Sequence, residues 1–408
     1  MASYSPIAAS NPLPASFLRG GTSKGIYLNQ NDLPSDKSLW NPIFLGIMGS
    51  PDPEYKRQLN GMGGGISSLS KICVVRPAQP KEREELDVDV EYTFVQVGIH
   101  DSEIDISGNC GNLSSMIGVF AVDEGMCKPR LHGNDHAGKE TLGSIRAFNT
   151  NTHKVIETTF PLRQVSNPSS ELIADLDIPQ TTIAGVPGKA SKIVLDFHNP
   201  SGARTGKLLP TGNAQDLLEL SDSKQISASL VDATNPTVIV PYSQLEDYLP
   251  ASSLESYTLG KPSKDVDDVL ESLRREGAKK MGLDPTAQAQ PKIAIVSASS
   301  PGSDTENGVD VVVHALSMAV LHKAVPMTLG LCLGVAAHVK GTLVWDIVQR
   351  SRISARIQED KDTSQGLVRL RHPSGIVDVG ARFDQDGSVI SAQVVRTGRR
   401  LMKGHVWW

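Results

Sequence analysis

Two stretches constrain this chain more than any others. Residues 113–122 (LSSMIGVFAV) and 329–337 (LGLCLGVAA) are apolar on nearly every face of a helix and rich in small residues. A helix without a polar stripe has no side to turn toward water, so the rest of the fold must enclose it. One such helix lies in each half of the chain. Each follows a tight polar motif, 107–112 (SGNCGN) for the first and Pro326-Met327-Thr328 for the second. Most other apolar runs are short, β-rich and separated by turn signals: 72–75, 155–160, 193–197, 238–240, 293–296, 367–370 and 389–395. Residues 88–94 alternate with period two, as a half-buried strand does. The expected architecture is therefore α+β, two halves of mostly strands, each around one buried helix.

The expected boundary lies near residues 199–202 (NPSG). It gives an N-terminal half, 1–198, on which a C-terminal strand at about 388–408 packs back, and a C-terminal half, 199–387. One ordinary surface helix is predicted after Ser263, where Val266, Val269, Leu270, Leu273 and Met281 recur at helical spacing and Gly282 supplies a stop. The charged run 81–87 and the Ser-, Gly- and Asp-rich run 299–310 read as surface loops. No repeat is visible from residue identity.

Composition removes several classes of function. The 408 residues suggest two or three domains at roughly 150 residues each. Forty Lys plus Arg against 45 Asp plus Glu leave a net charge of −5, so no global positive field invites nucleic acid. Four cysteines without CxxC spacing argue against a disulfide framework and against structural zinc. The first residues, MASYSPIAASNPLPAS, lack the basic and apolar regions of a signal peptide, and no run approaches the ~18 apolar residues of a membrane span. A soluble, cytoplasmic protein is expected.

Three Gly-rich segments stand out: 19–25 (RGGTSKG), 60–71 (NGMGGGISSLSK) and 107–112. A single glycine cluster usually means turn chemistry. Three of them interleaved with Ser, Thr, Asn and Lys favour a site where backbone N–H groups cradle a small polyanion. The run 205–212 (TGKLLPTG) is no nucleotide loop, because Gly202 to Gly206 is one residue short and Leu208 stands where a magnesium-binding Ser or Thr is required. Gly61-Met62-Gly63 lacks the third glycine of a dinucleotide fingerprint. Neither supports a nucleotide cofactor.

Cys110 is the sharpest single residue. It opens a buried helix, where the helix dipole and unpaired N–H donors lower a thiol pKa and attract carboxylates. A free cysteine more often ends as a small buried hydrophobe, and Cys73 and Cys332, inside apolar runs, fit that description; Cys127 reads as inert. Lys71 is second. A lysine at a strand end is commonly a solvated tip, but one folded under a Gly loop is partly desolvated and becomes a usable proton carrier. The ten histidines show no metal pattern. His132 and His136 read as loop residues, His322 precedes the second buried helix, and His372 reads as turn-stabilising. No metal site is expected.

The segments 19–25, 49–53 (GSPDP), 60–71, 107–112, 205–213 (TGKLLPTGN) and 372–375 (HPSG) resemble the 2-methylaconitate cis-trans isomerase family, to which fungal aconitate Δ-isomerase belongs. The matches run in order from about residue 16 to about 400. The resemblance implies a diaminopimelate-epimerase-like fold: two pseudo-symmetric halves, mixed β-strands around a central helix in each, and the site in the cleft between them. The Cys110-Gly111-Asn112 run is similar to the first cysteine motif of diaminopimelate epimerase and proline racemase. Those enzymes place a second cysteine before the second central helix, where this chain has Pro326-Met327-Thr328. A two-base racemase needs an acid and a base on opposite faces, and one is missing here.

The resemblance further implies that Lys71 and Cys110 are the catalytic pair. Ser23, Asn109, Gly111, Asn112, Lys207, Met318, His322 and Thr328 are the candidates for holding substrate carboxylates. Leu329 stands where relatives usually have Gly, which would narrow the cleft. The expected reaction is a cofactor-independent isomerisation of a tricarboxylate, cis-aconitate to trans-aconitate or its 2-methyl homologue, by allylic proton transfer. An amino-acid racemase or epimerase and a catalytically silent carboxylate-binding protein are the alternatives. Aconitate and 2-methylaconitate differ by one methyl, worth only ~1–3 kcal/mol in a pocket, and the motifs do not choose among these two and methylitaconate. The expected partner is a small tricarboxylate, with neither nucleic acid nor membrane; a homodimer is the assembly left open.

Overall fold

The computed structural model describes residues 10–134, 141–164, 172–220, 224–299, 308–317, 320–356 and 366–408. The chain forms two compact units, one of Met1–Asp196 with Arg396–Trp408 and one of Phe197–Val395.

In unit 1, β1 (Leu13–Gly20) and β2 (Ser23–Asn29) form a tight hairpin closed by Gly20 opposite Ser23. Helix α1 (Trp40–Met48) buries Ile43, Phe44 and Ile47 with Leu13, Ile26, Leu28 and Ile72 in one apolar cluster. Strand β3 (Lys71–Pro77) runs parallel to β2, and β4 (Val90–Val97) pairs antiparallel with β3. Between them lies α2 (Pro80–Leu86). After two short helices, α3 (Gly111–Ser114) and α4 (Ile117–Asp123), come β5 (Arg130–Asn134), β6 (Thr141–Asn149) and β7 (Lys154–Gln164). Strand β6 lies parallel to β4 and antiparallel to β7. The C-terminal strand Gly398–Val406 pairs antiparallel with β1, which places the last residues beside the first hairpin.

Unit 2 repeats this succession. Strands β8 (Gln225–Ala233) and β9 (Asn235–Pro241) form a hairpin closed by Ala233 opposite Asn235. Helix α5 (Lys264–Lys280) follows, with Val266, Leu270 and Leu273 buried as their spacing predicts. Strand β10 (Lys292–Ala298) runs parallel to β9, and β11 (Val311–Ser317) antiparallel to β10. Helix α6 (Met327–Ala336) is buried from Leu329 onward, as its lack of a polar stripe requires. It packs on β8, β9 and β13 (Gly375–Phe383). Strand β12 (Val368–His372) lies parallel to β11 and antiparallel to β13. Hairpin, parallel strand, antiparallel strand, buried helix, parallel strand, antiparallel strand: the repeat is carried by topology and not by residue identity.

Several local expectations change. The first buried helix is not continuous over 113–122. It breaks at Ser115 and Met116 because side-chain hydroxyls capture its carbonyls: Ser114 Oγ donates to Cys110 O (3.0 Å), Ser115 Oγ to Asn112 O (2.7 Å) and Tyr27 Oη to Leu113 O (2.6 Å). The charged run 81–87 is helix α2, started by Pro80 and a capping box between Gln79 and Glu82. Strand β4 is buried on both faces, with Glu91 held inside by Arg76 at 2.6 Å. His132 sits on β5, its Nε2 2.7 Å from Ser144 Oγ, and not in a loop. His136 and most of 299–310 lie outside the described residues. Leu329 is fully buried in the packing of unit 2.

Candidate active site

The Gly-rich run 60–71 is shaped from below by Gln58. This fully buried amide accepts from Gly65 N (2.9 Å) and Ser70 Oγ (2.6 Å) and donates to Ser50 Oγ (2.8 Å). The loop then delivers Lys71 as the first residue of β3, directly across from Gln96 on β4. Lys71 is 9% exposed. Its Nζ donates to Gln96 Oε1 at 2.6 Å and lies 5.0 Å from the centre of the Phe94 ring. Gln96 Nε2 is used by Ser70 O (3.0 Å) and Ser67 O (3.2 Å), so the amide is fixed with its oxygen toward the lysine. Lys71 Nζ thus rests on a neutral oxygen and an aromatic face, and among the described residues no carboxylate is paired with it.

Cys110 is the N-cap of α3, in extended conformation and half-buried. Its Sγ lies 3.8 Å from the hydroxyl of Ser23, the buried first residue of β2. Gly111 is the first helical residue after it. Asn109 is held on the other side, its Oδ1 accepting from the buried Tyr92 hydroxyl at 3.2 Å and its Nδ2 donating to Ser114 Oγ at 3.1 Å. Asn112 donates to Thr22 Oγ1 at 3.0 Å and accepts from Arg396 Nε at 3.0 Å. Gly21, at φ +51°, lies so close beneath Asn112 that a Cβ would collide with its side chain, which explains the glycine there. Arg19 ties the same turn down by donating to Gly21 O (2.9 Å) and Thr397 O (3.1 Å).

The electrostatics follow from burial. Arg396 has its guanidinium pulled down to about 10 by burial, with nearby Cys110 pushing the other way. Cys73 is fully buried, which raises its thiol far above the ordinary value; Cys110 adds to the rise and the Lys71 ammonium opposes it. Burial likewise pushes Cys127 and Cys332 up to about 12. Those three thiols behave as the small hydrophobes their surroundings suggest.

The remaining candidates lie in unit 2. Lys207 stands exposed on the 205–212 loop, which is anchored by the fully buried Asp232: its Oδ2 accepts from Arg204 N (2.8 Å), Thr205 N (2.7 Å) and Thr205 Oγ1 (2.9 Å). Thr328 is in the first turn of α6, with its carbonyl held by Thr234 Oγ1 at 2.7 Å and its own Oγ1 3.4 Å from Lys292 Nζ. His322 is exposed, its Nδ1 accepting from Ala324 N at 3.1 Å within its own loop. Met318 lies outside the described residues. Among the described residues no group of three or more His, Cys, Asp or Glu is placed to hold a metal ion.

The sequence profile of the family described as PrpF protein matches residues 11–408. The chain belongs to the PrpF family. It is 34% identical to the 3-methylitaconate isomerase of Eubacterium barkeri, over 97% of each chain. It is 32% identical to the 2-methyl-aconitate isomerase of Shewanella oneidensis, over 96% of each. The crystal structure of a methylitaconate-delta-isomerase superposes with a TM-score of 0.77 at 32% identity, over 98% of this chain and 96% of that one. This PrpF protein is an isomerase, with the α+β fold its two buried helices predict.

Within this PrpF chain, unit 1 groups Ser23, Cys110 and Asn112 on one hairpin turn and one helix start, with Asn109 braced behind them. Four residues with structural claims on these groups carry no local signal: Gln96, Tyr92, Arg396 and Lys292. Each acts through a partner far away in sequence. Only the strand register could have pointed to Gln96.

Proposed function

We propose that this PrpF-family isomerase moves an allylic proton on a tricarboxylate, converting cis-aconitate, or its 2-methyl homologue, to the trans isomer. The observation that carries the reading is that a nearly buried amine, Lys71 at the start of β3, and a half-buried thiol, Cys110 at the start of α3, both border β2 in one unit. The named activities of the relatives, acting on methylitaconate and methylaconitate, support it.

The substrate dictates the steps. A methylene next to one carboxylate of cis-aconitate is acidified through the adjacent C=C. A base takes one of its protons, and the electron pair spreads over the three-carbon unit into the carboxylate beyond as an extended enolate. The same proton, or one from a second acid, is returned to the far carbon, and the double bond ends one position along. Nothing is oxidised or reduced. Lys71 and Cys110 are the groups that handle the proton, and the geometry of the product is set by the conformer in which the carboxylates are held. The added negative charge on an already trianionic ligand is the costly feature, and fixed donors aimed at it lower the barrier. Ser23, Asn109, Gly111, Asn112, Lys207, Thr328 and His322 are the candidate donors.

A racemase needs a second thiol at the start of α6, where Pro326 is the N-cap; Cys332 is fully buried within that helix. Incubating the purified protein with cis-aconitate in D2O tests the reading. Trans product carrying deuterium is expected. Solvent exchange into an amino acid would favour a racemase, and binding without exchange would leave a carboxylate-binding protein.

A further inference from the structure

Lys292 occupies in unit 2 the place that Lys71 occupies in unit 1. Each is the first residue of the strand that runs parallel to the second arm of the unit's hairpin, and each strand pairs on its other side with the strand that leads to the buried helix. The correspondence extends further. Asn235 closes its hairpin opposite Ala233 as Ser23 closes its own opposite Gly20. Thr328 is the second helical residue after the N-cap Pro326, as Asn112 is after Cys110.

The counterpart groups are under-satisfied. Lys292 Nζ has Thr328 Oγ1 at 3.4 Å as its hydrogen-bond partner, and among the described residues it has no ion pair. Burial pulls the Lys292 ammonium below its ordinary value. Asn235 is 8% exposed, and its Oδ1 has no hydrogen-bond partner among the described residues. A desolvated cation without an anion and a buried amide with an idle group both cost free energy unless something completes them.

We propose that Lys292, Thr328 and Asn235 form a second carboxylate-binding position, in unit 2, which lacks the thiol found in unit 1. It rests on the reading above that the ligand is a polycarboxylate. The carboxylate takes an ion pair from Lys292 and a hydrogen bond from the Thr328 hydroxyl, and a half-turn of the Asn235 amide presents Nδ2 as a further donor. Thr234, by holding Thr328 O, fixes the start of α6 against which the anion rests. The carboxylate is either one arm of the isomerised substrate or belongs to a separate molecule of the same chemistry.

Calorimetric titration with trans-aconitate, beside turnover of cis-aconitate, distinguishes the sources. For Lys292→Met, affinity weaker by ~10–100-fold at unchanged stoichiometry, with KM raised more than kcat is lowered, assigns the position to the substrate itself; that range is what loss of one charge-assisted hydrogen bond produces. Two molecules per wild-type chain falling to one in the variant assigns it to a separate carboxylate. Lys292→Arg, which keeps the cation, should stay within a few-fold of wild type in either case. A folded Lys292→Met protein with unaltered affinity, stoichiometry and KM overturns the assignment while leaving the isomerase reading intact. A wild-type chain that neither binds trans-aconitate nor turns over cis-aconitate overturns both.

Discussion

Lys71 and Gln96 are cross-strand partners, and the lysine ammonium rests on the glutamine oxygen at 2.6 Å. Because Gln96 Nε2 is fully engaged by Ser70 O and Ser67 O, that oxygen has one orientation. Gln96 therefore fixes where the Lys71 amine stands. Lys71→Ala is expected to lower kcat by at least ~10²-fold, the usual contribution of a general acid–base group. Gln96→Leu, which keeps Lys71 but removes its rest, should lower kcat by a smaller factor and change the pH profile of kcat, a change that a merely destabilised fold does not produce. Near-wild-type turnover in a folded Lys71→Ala protein would end its assignment as proton carrier.

Tyr92 braces the loop that carries Cys110. Its hydroxyl meets Asn109 Oδ1 at 3.2 Å and Ser114 Oγ at 2.9 Å from full burial. Tyr92→Phe removes one hydroxyl and leaves buried Ser114 and part-buried Asn109 short of it, a cost of ~1–3 kcal/mol. Lower thermal stability together with a reduced kcat is expected. Unchanged kcat at lowered stability would show that the Asn109 brace does not reach the chemistry.

Arg396 approaches the same loop from the far end of the chain, its Nε 3.0 Å from an Asn112 oxygen that is 284 residues earlier in sequence. Arg396→Met should lower kcat/KM by at least ~10-fold, because Asn112 loses its partner and the surroundings of Cys110 lose a cation. Arg396→Lys restores charge without the planar fork, so an intermediate value is expected. If both variants matched wild type, the guanidinium would be structural only.

How much of this was legible depended on the range over which each signal acts. Cys110 could be singled out because it lies between Asn109 and Gly111 at the entry to an enclosed helix, and Lys71 because the Gly-rich run stands immediately before it. The two enclosed helices declare themselves by composition alone. Gln96 could not be found without the β3–β4 register, nor Arg396 without the return of the last strand to β1. The break at Ser115 was hidden because hydroxyls from the helix itself and from the distant Tyr27 capture its carbonyls. The charged run 81–87 misled because its many charges suit a solvated loop and an exposed helix equally, and only the Gln79–Glu82 box decides between them. The duplication of Lys71 by Lys292 is invisible to residue identity, since Cys110 is matched by Pro326 and Ser23 by Asn235.

His314 makes stability depend on pH. It sits on β11 opposite Ile295, and burial, with the Arg371 charge adding to it, pulls its imidazolium down to about 4. In the unfolded chain the same group titrates near ~6.5. Between those values the unfolded state binds the extra proton, so stability rises with pH there: the contribution is complete above ~6.5 and is lost as pH falls toward 4. Thermal melts of His314→Gln between pH 7 and 4.5 should show a shallower loss of Tm than wild type. Parallel slopes would mean the imidazole is hydrated in solution.

Cys110→Ser separates two roles for the residue at the start of α3. The hydroxyl has nearly the shape of the thiol, and the backbone N–H groups that follow it remain in place to hold a carboxylate. If Cys110 only shaped the helix start, the serine enzyme would keep most of its activity. If Cys110 moves a proton, serine fails, because an alcohol ionises far less readily than a thiol. The second outcome is expected, with kcat reduced by at least ~10²-fold. Alkylation gives an independent reading. Cys73 and Cys332 are fully buried, and the Cys127 and Cys332 thiols are pushed up to about 12. Half-buried Cys110 should therefore be carboxamidomethylated first by iodoacetamide, and trans-aconitate should slow that reaction. A Cys110→Ser enzyme within a few-fold of wild type would leave Lys71 to carry the proton alone, moving it from one carbon to the other from a single face.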